Sequence, residues 1–217
     1  MYRKPMYRRD NCGNAMRVGV ISDIHADPWA LRRALEHLQD RGVDKIVCLG
    51  DVVEKGPDGD AVVAILRDWL IPVVGGNHDE NAVRHSQLPL SLRRGDRGHL
   101  RPHTLRWLDA LPTTREYVWA GRRVLLAHGI PTSRTTYVFE DDVPKRLKRV
   151  LRRTSVDVVL LGHTHRPMRL RVGDVWVLNP GSVCTGRSRD SHTCAVLSLP
   201  TMDFEVIDVA TGATVEL

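Results

Sequence analysis

No apolar run of about 18 residues occurs in this 217-residue chain, which excludes a bilayer-crossing helix. Residues 1–22 also hold no apolar stretch long enough for the core of a secretory signal, so the expected location is the cytoplasm. The four cysteines, Cys12, Cys48, Cys184 and Cys194, show no CxxC spacing, which excludes a zinc ribbon and a redox pair. Lysine is scarce, 5 residues against 27 arginines. Aromatics make up 5% of the chain, and none interrupts the cations of 144–153, so that segment lacks a surface on which bases could stack. No internal repeat is present.

What is present is an ordinary globular balance, 42% apolar and 27% charged, in a chain of single-domain size. The net charge of +6 suits an anionic ligand such as a nucleotide, a nucleic acid or a phosphorylated protein. An arginine-rich solvated face is the simpler account of it. Residues 1–15 carry scattered cations without periodicity and read as a tail; 16–217 read as one domain.

From Arg17 the pattern alternates. Val18-Gly19-Val20-Ile21 is strand-like, and Asp27-Pro28 offers a helix cap with proline at the first helical position. Leu31, Ala34, Leu35 and Leu38 then mark one helix face. A second strand at 46–49, a second helix carrying Val62, Ile65, Leu66 and Trp69, and a third strand at 71–74 complete βαβ units and imply a parallel sheet. Residues 85–112 read as an irregular basic excursion able to form a lid, with one short helix at 104–111. Strands at 116–119 and 123–127 turn at Gly121, a helix spans 143–153 and a strand spans 156–161. Short strands fill the remainder, separated at Gly173-Asp174, Asn179-Pro180-Gly181 and Gly212.

The chemistry sits where each apolar run stops. The ends read Ser22-Asp23-Ile24-His25, Gly50-Asp51, Gly75-Gly76-Asn77-His78-Asp79, His128-Gly129 and Gly162-His163-Thr164-His165. Ligands of α/β sheets bind beyond the carboxyl ends of the strands, so these five tips can converge. If the chain is still extended there, the i, i+2 pairs Asp23/His25 and His163/His165 each point one way. Imidazole, carboxylate and amide without thiolate suit Mn²⁺ first, with Fe, Zn, Ni or Co as alternatives. Seven such groups exceed the four of a structural zinc site, which argues for two divalent ions bridged by one carboxylate, most simply Asp51.

Asp23-x-His25, Gly50-Asp51, Gly76-Asn77-His78-Asp79, His128-Gly129 and Gly162-His163-x-His165 resemble the five ordered motifs of the calcineurin-like metallophosphoesterases. The resemblance runs from about Met16 to Ser182 and implies an α/β fold: a sandwich of two mixed β-sheets flanked by α-helices. It implies Asp23, His25, Asp51 and His165 at one metal, and Asp51, Asn77, His128 and His163 at the other. His78 would be the catalytic acid, with Glu54 or Asp79 as its orienter. Gly50-Asp51-Val52-Val53-Glu54-Lys55-Gly56 resembles the GDxxDRG motif of the protein phosphatase and diadenosine tetraphosphatase branch, with Glu and Lys in place of Asp and Arg. That implies substrate contacts from Lys55 and Asn77, although lysine lacks the bidentate fork of arginine. Gly162-His163-Thr164-His165 with Asn179-Pro180-Gly181-Ser182 resembles the small prokaryotic phosphodiesterases instead.

The expected function is hydrolysis of phosphodiester or nucleotide-type phosphate esters by a hydroxide bridging the two ions. Protein phosphatase or dinucleoside polyphosphatase action is the alternative, and a non-catalytic scaffold of the same fold is less favoured because every ligand is present. The expected partner is a small phosphate ester or nucleotide. Nucleic acid is not favoured and no membrane contact is expected.

Overall fold

Every apolar run read as a strand forms one, except 71–74. The computed structural model describes residues 15–89, 100–184 and 190–217; all but the last residue of the tail read at 1–15 and the middle of the excursion at 85–112 therefore lie outside the described residues. β1 (Met16–Ile21), α1 (Pro28–Asp40) and β2 (Lys45–Cys48) make the βαβ unit, with β1 and β2 parallel from Val18–Lys45 to Ile21–Cys48. The Asp27 side chain accepts from the Ala30 N–H at 2.9 Å, capping α1 as its sequence requires. Asp58 does the same for α2 (Gly59–Asp68), accepting from Ala61 at 2.8 Å.

The expected third strand shrinks to one parallel bridge between Cys48 and Val73. Its ladder is limited to Cys48 N–H donating to the Pro72 carbonyl and Val74 N–H to the Cys48 carbonyl. Pro72 has no N–H to extend it. The short helix expected at 104–111 is α4 (Pro102–Asp109), while the start of the irregular stretch is corrected: α3 (Asn77–Gln87) runs into it, and only Ala82 and Val83 along α3 are apolar.

β3 (Thr114–Trp119) and β4 (Arg122–Ala127) form the hairpin at Gly121, where φ is +74°, a conformation that favours glycine. α5 (Lys145–Leu151) is shorter at both ends than expected and leads into β5 (Val158–Leu160). β6 (Pro167–Val172), β7 (Val175–Pro180), β8 (Thr193–Leu199), β9 (Asp203–Asp208) and β10 (Thr214–Val215) complete the described strands. Asn179 and Pro180 thus end β7, and the break falls at Gly181.

Among the described residues the strands form two mixed sheets, β10-β9-β8-β1-β2 and β3-β4-β5-β7-β6. Val18, Val20, Leu49, Leu126, Leu160 and Leu178 interlock between them. The outer face of the first sheet packs against α1 and α2 through Leu31, Leu35 and Leu66. The outer face of the second takes Leu147 and Leu151 of α5. This is the four-layer α/β/β/α sandwich, and it sets β1, β2, β4 and β5 with their carboxyl ends at one rim.

Candidate metal centre

The chain leaves β1, β2 and β5 at that rim through backbone that side chains rarely adopt. Asp23, His25, Asp51, His163 and His165 all have φ between +49° and +69°. The tips are therefore coiled rather than extended, which corrects the i, i+2 reading: the paired residues converge by left-handed turns. Such conformations cost about 1–3 kcal/mol each. The fully buried Ile21, Leu49 and Ala127 just before the tips anchor them, and the aliphatic ones contribute about 1.5–3 kcal/mol each by burial. The loops also bond one another: Asp23 N–H donates to the Gly50 carbonyl at 3.0 Å and His25 N–H to the Asp51 carbonyl at 2.9 Å. Two glycines allow this approach. A Cβ on Gly76 would lie 2.1 Å from Asp51 Oδ1, and one on Gly162 would lie 2.0 Å from Ser22 Oγ.

Each central carboxylate has one structural oxygen and one turned toward the histidines. Asp23 Oδ2 accepts from His163 N–H at 3.0 Å and Ser22 Oγ at 2.6 Å. Asp51 Oδ1 accepts from His78 N–H at 2.9 Å. The other oxygens are buried against imidazole nitrogens, Asp23 Oδ1 3.1 Å from His165 Nε2 and Asp51 Oδ2 3.3 Å from His128 Nε2, and neither they nor His163 Nε2 make a well-aligned hydrogen bond among the described residues. A buried carboxylate oxygen without a partner is costly unless a cation takes it. Around these atoms two donor groups gather, Asp23/His25/Asp51/His165 and Asp51/His128/His163, the ligand atoms within each lying within 4.8 Å of one another. His25 Nε2 lies 3.1 Å from His165 Nε2, and His128 Nε2 lies 3.3 Å from Asp51 Oδ2 and 3.1 Å from Asn77 Oδ1. Six hard or borderline donors plus the Asn77 oxygen, with Asp51 common to both groups, fit two divalent ions.

Outer contacts orient these ligands. His128 Nδ1 donates to the Leu49 carbonyl at 2.8 Å, turning Nε2 inward. His165 Nδ1 lies 2.8 Å from Asp190 Oδ1. Asp190 belongs to no motif and no spacing in the sequence ties it to His165, so sequence reasoning missed it. Buried Asn179 donates to the Gly162 carbonyl at 2.7 Å and Ser182 Oγ to the Asp23 carbonyl at 2.9 Å. That stretch holds up the loops from beneath.

His78 stands at the rim with its side chain 22% exposed, Nε2 4.0 Å from Asp51 Oδ2 and Nδ1 2.6 Å from Glu54 Oε2. Of the two candidate orienters, Glu54 makes the contact. Asp79 instead takes the backbone N–H groups of Asp51, Val52, Val53 and Gly76, clamping the β2 tip to the start of α3. Lys55 Nζ reaches 3.1 Å from His25 Nε2, which places it at the site.

Electrostatics separates the imidazoles. Burial pushes His25 down to about 4, against the pull of Asp51 and Asp23. Burial, with the His128 charge, does the same to His163. His128 moves to about 9, because adjacent Asp51 outweighs its burial. His165 is also raised, burial being outweighed by Asp23 and Asp190. Burial opposes charge on Asp23 and Asp51, yet the neighbouring histidines hold both carboxyls below their ordinary range.

In the metal-free chain near pH 7, His128 therefore carries a second proton that an ion must displace. The expected result is release of about one proton on metal loading, and affinity that rises with pH up to about 9. Calorimetry in buffers of different ionisation heat checks this; a buffer-independent heat would contradict it.

The family model for the calcineurin-like phosphoesterase superfamily domain matches residues 16–202. The chain belongs to that superfamily. It is accordingly a metal-dependent phosphoric ester hydrolase of the calcineurin-like type. The uncharacterised protein MJ0912 of Methanocaldococcus jannaschii is 30% identical over 196 residues, covering 80% of this chain and 77% of its own. Phosphodiesterase YfcE of Escherichia coli K12 is 28% identical over 171 residues, 77% of this chain and 79% of its own. Among solved structures, a metallophosphoesterase from Sphaerobacter thermophilus superposes with a TM-score of 0.68 at 27% identity, covering 94% of this chain and 89% of its own. Among the described residues of this calcineurin-like chain, no helix is long and apolar enough to cross a membrane.

Proposed function

We propose that the protein hydrolyses phosphodiester or nucleotide-type phosphate esters at a centre of two divalent ions, Mn²⁺ in the first instance. The observation carrying this reading is the meeting of both donor groups at Asp51, whose buried Oδ2 faces the imidazoles of both without a well-aligned hydrogen bond. Asp23, His25, Asp51 and His165 hold one ion; Asp51, Asn77, His128 and His163 hold the other. The bound ions supply charge neutralisation of the phosphoryl oxygens and a water acidified toward neutrality.

The chain's own residues position the ester and handle the leaving group. Lys55, a compact point charge, contacts a phosphoryl oxygen, and the Asn77 amide helps to place it. Cleavage of the P–O bond leaves an alkoxide that needs a proton. His78 delivers that proton from Nε2, while Glu54 at Nδ1 fixes the ring. The similarity to YfcE, named a phosphodiesterase, supports the diester preference. Glu54 and Lys55 together at the site favour the phosphatase alternative, on phosphoproteins or dinucleoside polyphosphates.

Chelator-stripped protein reloaded with Mn²⁺ tests the reading on an aryl phosphodiester and an aryl phosphomonoester. The expected outcome is metal-dependent turnover with the diester favoured by about tenfold or more, about 1.4 kcal/mol in barrier. A monoester preference of that size would shift the assignment to phosphatase. Silence toward both with every transition ion tried would contradict catalysis.

A further inference from the structure

The loop over 130–144, between β4 and α5, forms one wall of the metal centre. The Thr135 backbone lies beside the His163 ring. Tyr137 stacks on the same ring, centroids 4.0 Å apart and planes 20° from parallel. Phe139 lies alongside Tyr137 at 5.9 Å with planes 6° from parallel. The Arg166 guanidinium, next in sequence to His165, sits 5.6 Å from the Phe139 centroid. Phe139, Thr164, Arg166 and Met168 border a cleft of ≈ 380 Å³. A column of flat groups thus begins at a metal-ligating imidazole and ends at a cation beside an open cleft.

Packing accounts for these rings only in part: Phe139 is half-buried, but Tyr137 keeps 54% of its surface exposed. The chain has only 4 tyrosines and 2 phenylalanines, and one of each stands here.

We propose that Tyr137 and Phe139 form a stacking platform for the planar aromatic group, of the nucleobase class, of a phosphate ester whose phosphate sits at the metal centre. The inference rests on the phosphoesterase reading and deepens it. Every nucleobase offers a π-face, so a platform of this kind favours nucleotide esters over alkyl esters without choosing among bases. Arg166 extends the platform as a planar cation that packs against an aromatic edge or meets a further anionic group.

Calorimetric titration of Mn²⁺-loaded protein with AMP and with methyl phosphate tests this without turnover, since both ligands carry the same phosphate dianion. AMP is expected to bind more tightly. Tyr137→Leu should weaken AMP binding by about 5- to 150-fold and methyl phosphate by less than about twofold. Phe139→Leu, which does not touch a metal ligand, should show the same pattern, and Tyr137→Phe should retain the affinity. Mn²⁺ content is measured for each variant. Equal affinity for the two ligands, or equal weakening of both, would overturn the platform and leave the phosphoesterase reading standing. Loss of Mn²⁺ from Tyr137→Leu with Phe139→Leu unaltered would also overturn it, reducing the ring to a support for His163. Binding of neither ligand to the Mn²⁺-loaded protein would overturn both readings.

Discussion

Asp51→Asn is expected to leave the protein folded, to strip it of bound ions and to cut turnover about 10³-fold or more. The substitution keeps an oxygen for the His78 N–H that Asp51 Oδ1 accepts, so the β2 tip and the start of α3 stay joined. What it removes is the negative charge common to both donor groups. It also removes the charge that lifts His128 to about 9, so the expected His128 value falls and the ring becomes neutral near pH 7. An ion then finds a neutral imidazole but no shared carboxylate. Elemental analysis of metal per chain, alongside thermal unfolding, checks the result. A folded variant that retains two ions would contradict the shared role.

His78→Ala should show the reverse pairing, with metal retained and turnover reduced. His78 belongs to neither donor group, and its ring meets that of His25 edge-on at 5.0 Å. Its removal takes away a proton donor rather than a ligand. The expected loss is about 10²- to 10⁴-fold on alkyl esters, whose leaving groups need the proton, and far less on p-nitrophenyl esters. Measuring the loss against leaving-group pKa separates this from a structural defect, which would slow all esters equally. Normal turnover of alkyl esters by the variant would remove His78 from the mechanism.

The residues that gather in the two donor groups were legible in the sequence because strand ends are marked twice, by an apolar run and by the polar residue that stops it. Val20-Ile21 before Asp23 and Leu160-Leu161 before His163 carry that signature. The geometry that joins them was not legible. Nothing in the spacing of Asp23, His25, His163 and His165 announces positive φ, and the close approach that Gly76 makes to Asp51 and Gly162 to Ser22 joins loops far apart in the chain. The division into two sheets followed from family resemblance alone, since β4 and β5 read like any other buried strands. α3 was hidden by its composition: a helix whose first turn supplies Asn77, His78 and Asp79 to the site has little apolar face to display. Asp190 was hidden by distance along the chain, 25 residues from the His165 it orients. Tyr137 offered only a lone aromatic in a polar loop, and its position over His163 is a tertiary fact.

Titration of Mn²⁺ into chelator-stripped protein, with diester hydrolysis followed at each addition, tests the two-ion claim most directly. The account predicts that activity rises to a plateau at about two equivalents per chain and that little appears before the second ion begins to bind. Full activity at a single equivalent would contradict it.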